Sequence, residues 1–240
     1  MIVRNALRDY FENIKLSLLF GVLLVFVFFF LFFSNLFISS GSIFLEYSLN
    51  EVNIGVLALE IAVIAVFLVF YSAFVSLIIF NVRNKLNKVK VDYYLKDKLH
   101  RFSLKLFVFL LVYFIVLFFL SSLLVFFSLP VWIVNLLLLI VSLFFLFLPQ
   151  AIVVDEDSIT HCIANNLEFM SKNILPVIKI IVVSMVLIAV IALAEYALDV
   201  VALIGRYISL IILLVFVVPF IEVMKTRLYM TKFTLIGHKA

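Results

Sequence analysis

Four ionisable residues stand out because they interrupt or border long apolar runs. Glu195 and Asp199 are four positions apart, which places both carboxylates on one face of a helix, and Arg206 follows seven residues after Asp199. Two carboxylates beside a guanidinium are suited to binding a cation or a charged headgroup. Glu60 lies about seven residues inside an apolar run, and ionisable groups at such depth are costly and often functional. Together these four residues form a candidate polar site.

Each of these residues also has a purely structural interpretation. A surface ion pair that closes a turn would explain Glu195, Asp199 and Arg206 without any ligand. Glu60 would lie at the edge of its apolar segment if that segment begins later in the sequence. The sequence leaves both interpretations open.

Other residues with chemical potential are isolated. Asp155, Glu156 and Asp157 resemble the short acidic motif that holds a metal in nucleotide-sugar transferases, but together with Ser158 they also suit a helix N-terminus. His100, His161 and His238 have no second histidine at ligand spacing. HExxH, P-loop and nucleophile-elbow motifs are absent from the sequence. We therefore expect no catalytic, cofactor-binding or metal-binding residues, no cofactor and no enzyme activity.

The composition is that of an integral membrane protein. Hydrophobic residues make up 68% of the 240 residues and charged residues only 13%, whereas soluble domains hold about half apolar and about a quarter charged residues. A water-soluble core cannot bury this excess. The net charge of +4 is concentrated near the ends of apolar runs, which argues against nucleic-acid binding. The single cysteine, Cys162, excludes an intrachain disulfide.

The apolar runs predict one all-α integral membrane domain over residues 1–240, a polytopic bundle of six transmembrane helices in three hairpins. Only Ser128, Leu129 and Pro130 connect the third span to the fourth, so these two helices form a tight antiparallel hairpin. Near the inner interface, Lys179 and Glu222 are expected on adjacent spans, where an ion pair would support packing. The spans are predicted at about 17–39, 54–81, 104–128, 131–153, 174–197 and 201–223.

Basic residues are distributed unequally between the two ends of these spans. All of the 18 Lys and Arg residues except Arg206 lie on the side of the chain termini, and eight of them fall between Arg83 and Lys105. The positive-inside rule makes that side cytoplasmic. We therefore expect a multi-pass protein of the cell membrane with its N- and C-termini in the cytoplasm. The basic segments would be attracted to anionic lipid headgroups, at about 1 kcal/mol per residue.

A short amphipathic pattern occurs three times, each time before a pair of apolar runs. Four apolar residues at i, i+4, i+7 and i+11 occupy one helical face in each copy. The pattern predicts amphipathic interfacial helices on the cytoplasmic side, although four apolar residues at helical spacing are also common in unrelated amphipathic segments. The copies are Val3, Leu7, Tyr10 and Ile14; Leu95, Leu99, Phe102 and Leu106; and Ile163, Leu167, Met170 and Ile174.

The ends of the fourth and sixth spans carry a family resemblance. The fourth ends in LPQAIVVDED at 148–157, before an amphipathic segment with Asn165 and Asn173, and the sixth ends in PFIEVMKTRLY at 219–229. This second half resembles the six-span group that includes the YciC-like uncharacterised membrane proteins and the membrane domain attached to some glycerophosphodiester phosphodiesterases. The resemblance implies a fold and an unassigned function. It transfers no catalytic residues, and we expect none of these 240 residues to belong to a phosphodiesterase catalytic domain.

Two functions are consistent with these patterns. The first is a non-enzymatic polytopic membrane protein that acts as a scaffold or envelope-maintenance factor and packs against lipid, a partner membrane protein or a second copy of itself. The alternative is a small transporter or lipid-handling protein with a polar site near Glu60, Glu195, Asp199 and Arg206. Transport usually needs broken helices or polar clusters at the midplane, and the sequence indicates few of either.

Overall fold

The computed structural model describes residues 2–12, 14–33, 36–39, 42–45, 54–87, 98–202 and 204–233. Leu95 and His238, which the sequence analysis named, lie outside these residues. The helices are α1 (Ile2–Glu12), α2 (Ile14–Leu19), α3 (Gly21–Phe33), α4 (Ile54–Asn87), α5 (Leu99–Phe126), α6 (Val131–Phe144), α7 (Leu148–Val154), α8 (Ile159–Lys172), α9 (Ile174–Ala202), α10 (Gly205–Ile212) and α11 (Val218–Tyr229).

Most of these helices are built to cross a membrane. Five stretches are long and apolar enough, and a sixth is reached if the pair Val3–Glu12 and Ile14–Phe29, which bends by 71°, counts as one span. The prediction of an all-α polytopic membrane bundle is confirmed, with five or six spans. The five stretches are Ala58–Leu86, Leu99–Leu124, Trp132–Val154, Ile174–Val200 and Gly205–Lys232.

The first span is shorter as a helix than the predicted 17–39. Its helix is interrupted at Phe20 and ends at Phe33. Two short strands follow, β1 (Leu36–Ser39) and β2 (Ser42–Leu45), which pair antiparallel. Ser and Asn at positions 34 and 35 favour caps and turns over helix, and the Phe and Ile residues that follow them favour strands.

The fourth span, predicted at about 131–153, is found at Trp132–Val154, but its helix is interrupted by a turn. Helix α6 ends at Phe144 and α7 begins at Leu148, with Pro149 in its first turn. Proline has no N–H to donate and its ring clashes with the carbonyl of the residue four positions earlier, which is Phe145. The connection between α6 and α7 is therefore a turn within the bundle.

The last span changes helical type in its middle. A π-helical segment (Leu213–Val217) joins α10 to α11, Pro219 follows in the first turn of α11, and a 3-10 turn (Met230–Phe233) ends the described chain. Because Pro219 would clash with the Val215 carbonyl in a regular α-helix, a wider turn at this point accommodates it.

Two helices occupy the centre of the bundle. Helix α4 contacts α3, α5, α7 and α11, and α11 also contacts α1, α7 and α9. The helices of each predicted hairpin lie against each other, as the contacts of α3 with α4, α5 with α6 and α9 with α10 demonstrate. Many of the long apolar side chains of α5 and α9 are exposed, among them Phe118, Phe119 and Leu193. These outer faces are suited to lipid or to another membrane protein.

The three copies of the amphipathic pattern fold differently from one another. The first and third form separate short helices, α1 and α8, whereas the described part of the middle copy is the start of the long helix α5. In α8 the buried face is Cys162, Asn166 and Phe169, while the predicted Leu167 is exposed. The apolar stripe of the third copy is therefore rotated by about one position from the predicted one.

Candidate functional site

Glu195 and Asp199 hold the turn between α9 and α10. The Ser209 hydroxyl donates to Glu195 Oε2 at 2.5 Å, and the backbone N–H of Gly205 donates to Asp199 Oδ1 at 2.7 Å. Asp199 thereby satisfies a backbone donor in the first turn of α10, where a negative charge also complements the helix dipole. Both carboxylates therefore have a structural task at this end of the bundle.

Of the other two residues of the predicted polar site, Arg206 contributes only its carbonyl to this turn, where it accepts from the Ser209 hydroxyl at 2.9 Å. Glu60 is buried on α4, and Arg206 is half-buried at the start of α10. Within the described residues, no ion pair links Arg206 to Glu60, Glu195 or Asp199. The structure brings Glu195 and Asp199 together in one turn, and ligand binding by the four residues stays a prediction.

Helices α9 and α10 approach each other closely at Gly205. A Cβ atom there would clash with the Glu195 carbonyl oxygen and lie 2.9 Å from Asp199 Oδ1. Replacing Gly205 with alanine is therefore expected to destabilise the folded protein by about 1–3 kcal/mol through overpacking. The midpoint of thermal unfolding in detergent measures this effect.

The matched control is Gly21→Ala, because a Cβ at Gly21 meets nothing within 4 Å. Alanine is the better helix former, so this change should be neutral or stabilising by up to about 1 kcal/mol. Equal losses from the two substitutions would contradict the close packing inferred at Gly205.

At the opposite end of the bundle, where α1 meets α11, polar side chains are tied into a network. We call this the terminus-side end. Asp9 is only 1% exposed and accepts from Lys85 Nζ at 2.6 Å and from Arg227 Nη1. Lys85 also pairs with Glu12. Asp9 therefore joins α1 to α4 and α11, a role that the sequence did not reveal because acidic residues on a short helix ordinarily face water.

Glu156 is the second junction at this end. Its carboxylate accepts from Arg83 Nη1 at 2.8 Å and from Lys98 Nζ at 2.7 Å, and its φ of 60° lies in the left-handed region that non-glycine residues seldom adopt. Burial favours the neutral acid, but the hydrogen bonds from Lys98 and Arg83 outweigh it and hold the pKa of Glu156 below its ordinary value.

This pKa shift predicts a pH dependence. The contribution of Glu156 to stability is fully present above the ordinary pKa of 4.5 and is lost as the pH falls through the lowered value. The midpoint of thermal unfolding should therefore fall with acidification in the wild type, and less steeply in Glu156→Gln. Parallel curves for the two proteins would contradict the assignment.

Asp155 and Asp157 have separate partners. Asp155 Oδ2 accepts from the Tyr229 hydroxyl at 2.6 Å, Asn165 Nδ2 at 2.9 Å and Lys232 Nζ at 3.2 Å. Ser158 begins α8 as its N-cap, which confirms the predicted helix N-terminus. Asp155 and Glu156 thus connect neighbouring elements, whereas the Asp157 carboxylate accepts from the backbone N–H of Ser158 at 2.7 Å. The described residues contain no group of three His, Cys, Asp or Glu side chains placed to hold a metal.

The sequence suggested an ion pair between Glu222 and Lys179, but Glu222 pairs with Lys225 of its own helix. Lys225 Nζ donates to Glu222 Oε1 at 2.7 Å, and Gln150 Nε2 donates to Glu222 Oε2 at 2.7 Å. Glu222 is 5% and Lys225 6% exposed, whereas Lys179 is exposed on α9. The reason is spacing, since residues three apart on a helix are neighbours.

A cleft of about 180 Å³ lies beside this buried ion pair and is open on one side. Its walls come from α4, α5, the α6–α7 turn and α11, and they are mostly apolar. Across it, the Tyr113 hydroxyl donates to Ser142 Oγ at 2.6 Å, and Ser142 donates to the Leu138 carbonyl at 2.8 Å. The cleft therefore combines mostly apolar walls with a buried ion pair.

Cys162 is a buried thiol on α8. Burial, together with nearby Asp155, raises its pKa to about 11. Because the thiolate is the reactive form, Cys162 should be inert at neutral pH until the fold opens. Its reaction with a maleimide therefore reports unfolding without any added label.

Comparisons with known proteins add no assignment. No protein-family profile, curated protein or solved structure matches this chain.

Proposed function

We propose that this chain is a non-catalytic multi-pass protein of the cell membrane that acts as a scaffold, with both termini in the cytoplasm. Its terminus-side end would lie at the cytoplasmic headgroups, where basic residues are favoured. Its outer apolar faces on α5 and α9 would contact lipid, a partner membrane protein or a second copy. The relationship to the YciC-like proteins remains part of this proposal.

One observation carries the lipid-facing part of the proposal. Five basic side chains near the terminus-side end are exposed and form no ion pair with the described carboxylates. Unpaired surface cations of this kind are suited to anionic headgroups, at about 1 kcal/mol each. We call them the basic collar: Arg4, Arg8, Lys15, Arg101 and Lys179.

The two ends of the bundle also differ in what their acids do. Glu195 and Asp199 are engaged in the α9–α10 turn, which supports a structural role at the end away from the collar. At the terminus-side end, Asp9 and Glu156 each accept from two cations that are distant in the sequence. A bundle fastened in this way is suited to hold its shape and present a surface, as a scaffold must.

Cysteine labelling tests the orientation. Lys172→Cys, at the end of α8, and Arg206→Cys, at the start of α10, would each be treated with a membrane-impermeant maleimide on intact cells and on inverted vesicles. The proposal expects Arg206→Cys to react on intact cells and Lys172→Cys only on inverted vesicles. The reverse pattern would contradict it. Native Cys162 is buried and serves as the unreactive background.

Lipid dependence tests the role of the collar. The purified protein would be placed in nanodiscs of phosphatidylcholine alone or with added phosphatidylglycerol, and its unfolding followed by the Cys162 thiol. Anionic lipid should stabilise the wild type, by about 1 kcal/mol for each collar residue near the surface. Replacing all five with glutamine should remove most of this gain, whereas Arg206→Gln should keep it. An unchanged gain in the five-fold variant would refute the role of the collar.

The second candidate is a transporter or lipid-handling protein. The interrupted fourth span and the π-helical segment of the last span favour it, because broken helices recur in such proteins and π-helical turns recur at functional sites. The residues predicted from sequence for this role were Glu60, Glu195, Asp199 and Arg206. If Glu60→Gln left growth of a strain dependent on the protein unchanged, that site would lose its support.

A further inference from the structure

We infer that the cleft beside Glu222 and Lys225 binds an acyl chain, with the acyl carbonyl oxygen accepting a hydrogen bond from Lys225. This inference does not depend on the scaffold proposal, since it concerns a cavity inside the bundle and not the basic collar. It rests on the shape of the cleft, on its unused hydrogen-bonding groups and on its charge.

The shape suits one segment of a hydrocarbon chain. Leu106, Phe109, Leu110 and Tyr113 lie at i, i+3, i+4 and i+7 on α5, so one face of that helix lines the cleft over about 10 Å. The volume of about 180 Å³ is similar to the roughly 150 Å³ of a cavity that holds one benzene molecule. A long chain would therefore fill the cleft with part of its length and leave by the open side.

The interruption of the fourth span helps to form this space. Phe145, Leu146 and Pro149, at the α6–α7 turn, line the cleft opposite α5. A continuous helix at this point would carry different side chains toward α5, since each residue along a helix turns by about 100°. The break is thus a feature of the cavity wall as well as of the backbone.

The polar side of the cleft offers unused hydrogen-bond donors. Lys225 has three N–H groups, and the described residues use one of them, the bond to Glu222 Oε1. Both oxygens of Glu222 already accept a hydrogen bond. The Tyr71 hydroxyl, which also lines the cleft, has no hydrogen bond to a described residue. A ligand that brings an acceptor can therefore use the two remaining Lys225 donors.

Charge narrows the choice further. Glu222 and Lys225 together are neutral and both are buried. An uncharged carbonyl adds no net charge to this site, and burying an unpaired charge is costly. An acyl carbonyl has the required acceptor, and its hydrocarbon chain suits the walls. Two sources supply that chemistry: the acyl ester of a membrane lipid, and a free fatty acid whose carboxyl group is protonated.

Photolabelling of the purified full-length chain tests the inference. The probes are a palmitic acid with a diazirine near its carboxyl group, a phosphatidylcholine that carries the same acyl chain, and a diazirine hydrocarbon without a carbonyl. Labelled residues are identified by mass spectrometry. The inference expects the acid or the phospholipid to label Leu106, Phe109 and Leu110 in preference to the exposed Phe118 and Leu193, and expects no such preference for the hydrocarbon.

The first two probes distinguish the source. Cleft labelling by the phospholipid alone assigns the ester of a membrane lipid, and labelling by the acid alone assigns a free fatty acid. Equal distribution of all three probes over cleft and outer faces would overturn the inference, because the cleft would then be an ordinary part of the lipid-facing surface.

Two variants test separately the Lys225 hydrogen-bond donor and the volume of the cleft. Lys225→Met removes the ammonium and should lower cleft labelling about ten-fold, the size expected for a lost hydrogen bond to a charged group. Leu110→Trp keeps the ion pair and fills the cavity, and it should abolish cleft labelling. Lys172→Met, on the surface of α8, should leave it unchanged. Each variant is used only if Cys162 stays unreactive; full labelling in a folded Leu110→Trp would refute the site even if Lys225→Met does not fold.

Discussion

Replacing Glu222 with leucine is expected to lower the free energy of unfolding by about 3–5 kcal/mol, because the change leaves the buried Lys225 ammonium without its counter-charge. Lys225 is 6% exposed and Gln150 is fully buried, so water does not compensate readily for the lost carboxylate. Urea or thermal unfolding in detergent, followed by the Cys162 thiol, measures the loss.

The chain supplies a matched control for this substitution. Glu168 and Lys172 form a helical ion pair of similar spacing and length, 2.6 Å, but their side chains are 57% and 70% exposed. Glu168→Leu should have little effect on stability, because solvent screens this exposed pair. A loss from Glu222→Leu no larger than that would show that Lys225 remains solvated or finds another acceptor.

The double variant Glu222→Leu with Lys225→Met sharpens the test. Buried ion pairs replaced by apolar residues of similar volume are often neutral or stabilising. We therefore expect the double variant to be much more stable than Glu222→Leu alone. If it is equally unstable, the loss arises from poor packing of leucine and not from the unpaired charge.

The second large effect is expected at Asn166, on α8. Its Oδ1 accepts from the backbone N–H of Phe147 at 3.1 Å, and its Nδ2 donates to the Phe144 carbonyl at 2.6 Å. Asn166 is fully buried, so these bonds replace those that the helix loses where the fourth span is interrupted. Asn166→Leu should cost about 2–6 kcal/mol, since each orphaned buried group costs about 1–3 kcal/mol.

Asn135→Leu is the control for that experiment. Asn135 is exposed on α6, the helix that ends at the interruption, and its replacement leaves the turn intact. It should change stability by less than about 0.5 kcal/mol. If both substitutions had the same small effect, the α6–α7 turn would not depend on Asn166.

The sequence predicts the crossings well because hydropathy alone decides them. Apolar runs of sufficient length, the short Ser128–Pro130 connection and the cap at Ser158 each act over a few residues. The interruptions were harder to predict. Pro149 and Pro219 are visible in the sequence, but whether a proline bends a span or breaks it depends on partners such as Asn166, which comes from another helix.

In the candidate site, too, contacts between residues close in the sequence were easier to predict than contacts between distant ones. The Glu222–Lys225 pair could have been predicted from the sequence, because the two residues are three apart and share a helical face. The sequence analysis instead paired Glu222 with Lys179 on the neighbouring span. The role of Asp9 could not be predicted from the sequence, since its burial depends on Arg227, which is 218 positions away. The cleft depends on four separate elements and has no local signature.

The bond between Asp9 and Arg227 also bears on how the protein is made. Lys85 follows Asp9 by 76 residues and Arg227 follows it by 218. At a synthesis rate of about 5–20 residues per second, the interval between the two partners is roughly 7–28 s. During that interval Asp9 can pair with Lys85 but not yet with Arg227, which has not been synthesised. Helix α11 then supplies Arg227 and completes the ion pairs of Asp9. We therefore expect a chain that stalls on the ribosome before α11 to lack this contact and to be more sensitive to proteolysis.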